Sequence, residues 1–258
     1  MSGTFKVMQF NMQFGQVWDD AYPDHAPIRI EATIDEIRAQ DADVVLLQEV
    51  ERALPDGSQP PVPPNYCQLK QELAGYDSYF AYPKEDPREL PFGIGLAIFT
   101  KTPLRDMMKL VLPSPPVEFD FFGEKKTPTD RLLIGAATTI AGRTVRLFNT
   151  HLLAFFMLNS SSEQHSEQRR LVAEELKKST GPTLLTGDFN VSKHDSLIRQ
   201  FGDVGYRTVQ STESTWRRRP YVLDHIFYNE QLRPLRYWVR PTLASDHHVL
   251  LAEFGFAV

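Results

Sequence analysis

The sequence predicts an α/β chain (α+β in detail) whose two mixed β-sheets pack face to face with helices on their outer sides. Three observations carry that expectation. Apolar runs of strand length recur along the 258 residues, two strand-helix-strand units of matching length appear, and the stretch between them reads as a series of hairpins.

In chain order, FKVMQFN (5–11) has strand character, and PIRIEATIDEIRAQ (27–40) sets Ile28, Ile30, Ile34 and Ile37 on a largely helical apolar face. DVVLLQE (43–49) is a continuous apolar run ending in a charge. LPDGSQPPVPPN (54–65), with five prolines, reads as a loop. FGIGLAIFTK, LRDMMKLVL and RLLIGAATTIAGRTVRLFNTHL then read as strands, the last two joined by a turn at Ala141, Gly142 and Arg143. LPSPPVEFDFFGEKKTPTD (112–130), which mixes prolines with aromatics, is the second long loop, and loops of this length are usually functional or disordered. VRLFNTH (145–151), SEQHSEQRRLVAEELKK (162–178) and PTLLTGD (182–188) repeat the strand, polar-faced helix and apolar run of the first half. Asn11 to Glu49 spans 38 residues and His151 to Asp188 spans 37. The tail, YVLDHIFYN, LRYWVR and HHVLLAEFGF, is strand-rich.

With 41% apolar residues a chain of this length forms one large core, so a single domain over 1–258 is expected. No run of 18 apolar residues occurs and MSGT leads straight into a strand, which predicts a soluble, cytoplasmic protein without a transmembrane segment. Cys67, the single cysteine, has no partner for an internal disulfide and no thiolate or imidazole neighbours at zinc spacing. A net charge of −5 argues against nucleic-acid binding by a broad basic face, yet is compatible with a phosphate-processing enzyme whose acids bind a metal.

Polar residues close the apolar strands: Asn11, Glu49, Asn149, His151, Asp188, Asn190, Asp224, Asp246 and His247. Singly, an acid after a strand is most often a turn or cap residue. As a set converging on one sheet edge, these carboxylates would repel one another unless a cation sat among them. All-oxygen ligands without thiolate suit a hard ion, Mg²⁺ or Mn²⁺.

The motif order resembles the endonuclease/exonuclease/phosphatase superfamily, on Asn11, LLQE ending at Glu49, NTH at 149–151, GDFN at 187–190, LDHIF around Asp224 and SDH at 245–247. The resemblance implies a four-layer sandwich and metal-dependent phosphoester hydrolysis by in-line attack of an activated water. By the same resemblance Glu49 is the principal metal ligand, with Asn11 and Asp246 completing or flanking the site. Asp188 and Asn190 position the water and the phosphate, and His247, its tautomer fixed by Asp224, stands near the phosphorus. His151 hydrogen-bonds a non-bridging phosphate oxygen or protonates the leaving oxygen, and Asn149 faces the substrate phosphate. Arg131 either reaches a phosphate oxygen or is a packing arginine. His248 duplicates His247 but falls outside the motif. One departure matters: the DNA-repair branch has an acid two positions after the first Asn, whereas this chain has Gln13, a weaker ligand, which disfavours a second metal and abasic-site activity and leaves the number of metals, one or two, open.

The substrate stays open between a phosphodiester of nucleic acid or nucleotide (DNA, RNA), favoured slightly, and a phospholipid, sphingolipid or sugar phosphate. A non-catalytic RNA- or protein-binding module would have lost part of this residue set. The apolar HLLAFFMLN and EFDFFG serve either reading as substrate walls, or pack on the scaffold. Arg217, Arg218 and Arg219 form the basic run, a solvated face or a phosphate-backbone contact. A monomer is expected.

Overall fold

The computed structural model describes residues 3–257; residues 1, 2 and 258 of the expected domain lie outside the described residues. The chain runs β1 (Phe5–Asn11), α1 (Ile30–Gln40), β2 (Val44–Arg52), α2 (Pro64–Glu72), β3 (Asp77–Ala81), β4 (Gly93–Thr100), β5 (Arg105–Leu112), β6 (Phe119–Phe121) and β7 (Glu124–Lys126). It continues through β8 (Arg131–Ile140), β9 (Arg143–His151), α3 (Glu167–Leu176), β10 (Thr183–Asp188), α4 (His194–Gly202), β11 (Tyr206–Thr208), β12 (Asp224–Asn229), β13 (Leu232–Arg240) and β14 (Val249–Phe256).

Sheet I has the order β13-β14-β1-β2-β4-β3 and sheet II the order β11-β12-β10-β9-β8-β5. Each is antiparallel except for one central parallel pair, β1/β2 or β9/β10, linked by a crossover helix. A parallel pair needs such a crossover, which is why the two strand-helix-strand units occupy the sheet centres. β8 and β9 meet at Ala141 and Gly142, both in the left-handed region (φ 48° and 78°), the geometry a two-residue hairpin turn requires.

Alternation places each strand's residues. Val7, Val44, Leu46, Leu96, Ile98, Ile134, Leu147, Leu184, Ile226 and Leu250 fill the space between the sheets. The opposite face of sheet I (Met8, Phe10, Val45, Leu47) is covered by Ile30, Ile34 and Ile37 of α1, and that of sheet II (Phe148, Leu185, Phe227) by Val172 and Leu176 of α3 with Leu197 and Phe201 of α4. Helix, sheet, sheet, helix are the four layers, as expected.

Several boundaries differ from expectation. The first helix starts at Ile30 because Ile28 forms an isolated bridge with Gln16 and the Arg29 amide donates to the Gly15 carbonyl at 2.7 Å, holding the chain extended. The 112–130 segment is partly ordered: β6 and β7 form a small hairpin whose turn, Phe122 and Gly123, has both φ positive. Helices α2 and α4 were not foreseen; α2 starts inside the proline cluster, with Pro64 at its first position, where the missing N–H costs nothing.

Candidate active site

The inter-sheet layer changes character along the strands. Towards one edge its aliphatic residues give way to amides and a hydroxyl (Gln9, Gln48, Asn149, Thr186), and then to Asn11, His151, Asp188 and Asp224 at the strand ends. All but His151 of these are buried.

Asp188 is the hub. Its Oδ2 accepts from Asn11 Nδ2 at 3.0 Å and lies 3.7 Å from His151 Nε2 and 3.6 Å from His247 Nε2. Its Oδ1 accepts the Asn190 amide at 3.0 Å. Asn11 Nδ2 also donates to Glu49 Oε1 at 2.9 Å, and His151 Nε2 lies 3.8 Å from that oxygen. Two groups result in which every member brings a ligand atom within 4.8 Å of the others: Glu49, His151 and Asp188, and Asp188, Asp224 and His247.

Glu49 reaches the site through a backbone irregularity. Gln48 faces between the sheets, so simple alternation would turn Glu49 towards the helices. Instead Glu49 adopts φ 51°, and the β2/β4 register slips between Gln48 and Glu51. Its side chain lies over Gly93, where an added Cβ would fall 2.0 Å from Glu49 Oε2.

His247 Nδ1 contacts Asp224 Oδ2 at 2.8 Å, and as an ionised carboxylate only accepts, the ring donates there and turns Nε2 to the site. Ser245 ties the segment down, donating through Oγ to the Asn11 carbonyl at 2.7 Å and accepting the His247 amide at 3.1 Å.

The electrostatics follow from this crowding. Burial, then the Asp246 charge, push the Glu49 carboxyl up to about 7. Burial and Asp224 push Asp188 well above the usual carboxylate range. Burial would lower His247, but Asp224 and Asp188 outweigh it and hold the imidazolium well above its ordinary range. His151, desolvated and near Arg131 and His247, is held well below its own and stays neutral. Buried acids that resist ionisation side by side fit a site completed by a cation.

One expected residue lies away from the cluster, and three others stand at its margin. Asn149 is a correction: it shares the inter-sheet face of β9 with His151 but lies deeper, donating to the Leu47 and Ala97 carbonyls at 2.8 and 3.1 Å and accepting from Gln48 at 2.6 Å. Both its hydrogens are used, so it braces the two sheets and does not meet a phosphate. Asp246 borders the cluster, but its Oδ2 accepts from Trp216 Nε1 at 3.1 Å and Arg218 Nε at 2.9 Å. Asn190, at φ 51°, donates to the Leu152 carbonyl at 3.0 Å and so fixes the loop after β9. Arg131 lines a small cavity with His151, its NH1 3.5 Å from Glu89 Oε1 and its buried Nε unpartnered. The basic run is largely committed: Arg217 donates to the Thr242 carbonyl, and Arg218 pairs with Asp24 and Asp246. Gln13 accepts the Asp246 amide at 3.2 Å, bracing the site where the repair branch has an acid. Sequence reasoning assigned no role to Gln9, Gly93 or Ser245, although the alternation of FKVMQFN already puts Gln9 on the same face as Asn11.

A sequence model of the Endonuclease/Exonuclease/phosphatase family matches residues 8–247, and the chain belongs to that family, whose members are hydrolases acting on phosphoesters. In fold, it is similar to an endonuclease/exonuclease/phosphatase family protein from Bacteroides thetaiotaomicron (18% identity, 100% of both chains, TM-score 0.74). It is similar also to the mannosyl-6-phosphatase Bt3783 of Bacteroides thetaiotaomicron (18% identity, 98% of this chain and 100% of that one, TM-score 0.70) and to the human Nocturnin catalytic domain (20% identity, 100% and 96%, TM-score 0.65). In sequence, the UPF0294 protein YE0917 of Yersinia enterocolitica is 30% identical over 138 residues, 50% of this chain and 52% of that protein. The chain thus spans about half the length of the curated relatives it matches. Among the described residues no helix is long and apolar enough to cross a membrane.

Proposed function

We propose that this chain is a Mg²⁺- or Mn²⁺-dependent phosphoesterase that hydrolyses a phosphodiester of the nucleic-acid or nucleotide type by in-line attack of water, within a single catalytic domain. The observation that supports it is the convergence of Glu49, His151, Asp188, Asp224 and His247 from five separate segments, at strand ends of both sheets, in two groups that share Asp188. Glu49 and Asn11, with Asp246 alongside, would hold the ion, which would supply charge for the phosphoryl oxygens. Asp188 orients the attacking water with help from Asn190. His247, steered by Asp224, carries positive charge towards the phosphorus, and neutral His151 donates to a phosphoryl or leaving oxygen. Arg131, which lines the small cavity beside His151, contacts a phosphoryl oxygen.

A phospholipid or sugar-phosphate substrate is the second reading, supported by Phe122 and Phe92, exposed by 93% and 54% on and beside the β6/β7 hairpin. The test is a Mg²⁺ and Mn²⁺ activity panel over bis-p-nitrophenyl phosphate, p-nitrophenyl phosphate, single- and double-stranded DNA, RNA and sphingomyelin. His247→Ala should lower turnover by at least about a hundredfold; wild-type rates in that variant would overturn the assignment.

A further inference from the structure

Behind the ionisable layer lies a chain of amides with no solvent contact. Gln9, Gln48 and Asn149 are fully buried, and they connect the two sheets. Gln9 Nε2 donates to Asp224 Oδ1 at 2.9 Å and to Gln48 Oε1 at 2.7 Å. Gln48 Nε2 donates to Asn149 Oδ1 at 2.6 Å, and Asn149 Nδ2 ends the chain on the carbonyls of Leu47 and Ala97.

The direction of every bond is fixed at both ends. An ionised carboxylate and a main-chain carbonyl accept only, so Gln9 must present its NH₂ to Asp224 and Asn149 its NH₂ to the backbone. The arrangement even leaves Gln9 Oε1 buried without a partner. An unpaired buried acceptor is costly, and a hydrophobic side chain would fill the same space without that cost. Between aliphatic residues such as Val7 and Ile226, a glutamine is not explained by packing.

We propose that Gln9 is a positioning residue for hydrolysis: by holding Asp224 Oδ1 it leaves Oδ2 for His247 Nδ1 and thereby fixes the plane in which the His247 ring faces Asp188. The inference rests on the catalytic role proposed above for His247 and Asp224. Gln9 itself touches neither substrate nor metal. Asp224 has its amide held by Thr215 Oγ1 at 3.1 Å, but its carboxylate has only Gln9 and His247 as hydrogen-bond partners among the described residues. Without Gln9 the carboxylate could rotate, and the ring it carries would lose its single orientation.

The test is Gln9→Met, which keeps length and removes the donor, assayed on bis-p-nitrophenyl phosphate with Mn²⁺, alone and in an Asp224→Ala background. Expected is a fall in kcat of about tenfold or more, with KM and the half-saturating Mn²⁺ concentration changed by less than about twofold, and no further loss when Asp224 is already alanine. A folded Gln9→Met enzyme that keeps kcat above that level overturns the proposal. So does one whose KM rises along with the loss, or which loses the same factor in the Asp224→Ala background. If Gln9→Met does not fold, ¹⁵N NMR of the wild type decides: the Gln9 side-chain NH₂ resonances should shift in Asp224→Asn, and unmoved resonances overturn the proposal. An Asp224→Ala enzyme at wild-type turnover would sink the parent reading instead, whereas a slow Asp224→Ala beside a normal Gln9→Met sinks only this inference.

Discussion

The two crossover units, β1-α1-β2 and β9-α3-β10, have the same plan and deliver their acids differently. In the second unit Asp188 lies on a regular strand, in register opposite His151 and Asp224, and alternation alone turns it into the inter-sheet space. In the first unit Glu49 stands where alternation would point it away, and a left-handed residue with a slipped register brings it round. One acid is placed by strand pairing, which the whole sheet enforces. The other depends on a local distortion that costs on the order of 1 kcal/mol or more for a non-glycine residue and persists only because its surroundings hold it. The second acid is the scaffold of the site; the first is its adjustable part.

The largest effect should therefore come from Asp188, which four neighbours share. Asp188→Asn is expected to lower turnover about a thousandfold and Glu49→Gln about a hundredfold, within the range for losing a positioned acid-base or electrostatic group. Steady-state kinetics on bis-p-nitrophenyl phosphate with saturating Mn²⁺ checks the order. A Glu49→Gln enzyme weaker than Asp188→Asn would break the hub assignment.

Each unit's acid also has a glycine beside it, and the two should fail in different ways. An alanine Cβ at position 93 would meet Glu49 Oε2 at 2.0 Å and Glu49 Cβ at 2.3 Å, so Gly93→Ala must shift both the Glu49 side chain and the strand that carries it, and should cut activity about tenfold or more with a smaller loss of stability than its counterpart in the second unit. At position 187 the Cβ would meet the Thr150 carbonyl oxygen at 2.3 Å, main chain of the paired strand. Gly187→Ala should destabilise the protein by about 3 kcal/mol, as overpacking in a close-packed interior does. Urea unfolding of both variants, read beside their kinetics, separates a lost site from a lost fold.

The same contrast explains what the sequence made legible. Asp188 could be read from TLLTGD because its position follows from period two, and so could the four layers, since the apolar faces of β1, β2, β9 and β10 each show on inspection. Glu49 was found as a residue but not as a conformation: a left-handed glutamate leaves no compositional trace, where glycine or asparagine would have left one. Asn149 was misplaced because NTH gives the face of the strand but not the depth, and two residues decide whether an amide meets substrate or braces the core. The hairpin in 112–130 did carry a signal, Gly123 after an aromatic, hidden among prolines.

The smallest expected effect tests whether crowding in the first unit is real in the metal-free protein. A carboxyl raised from 4.5 to about 7 binds a proton in the folded state that the unfolded chain has lost. Folding stability must then fall as pH rises from 4.5 through 7 and level off above, and the contribution is on the order of a few kcal/mol at most. Glu51, raised to about 7 by burial, pulls the same way, whereas His225, buried neutral and lowered to about 4, gains stability as pH rises from 4 to 6.5. The difference in Tm between wild type and Glu49→Gln cancels those shared groups. Measured with EDTA, it should move against the wild type between pH 5 and 8; a difference flat in pH would show that Glu49 is not held in a crowd of charges. Mn²⁺ should then raise the wild-type Tm more at pH 8 than at pH 5, because it binds the ionised carboxylate and stabilises by mass action, and Glu49→Gln should lose most of that rise.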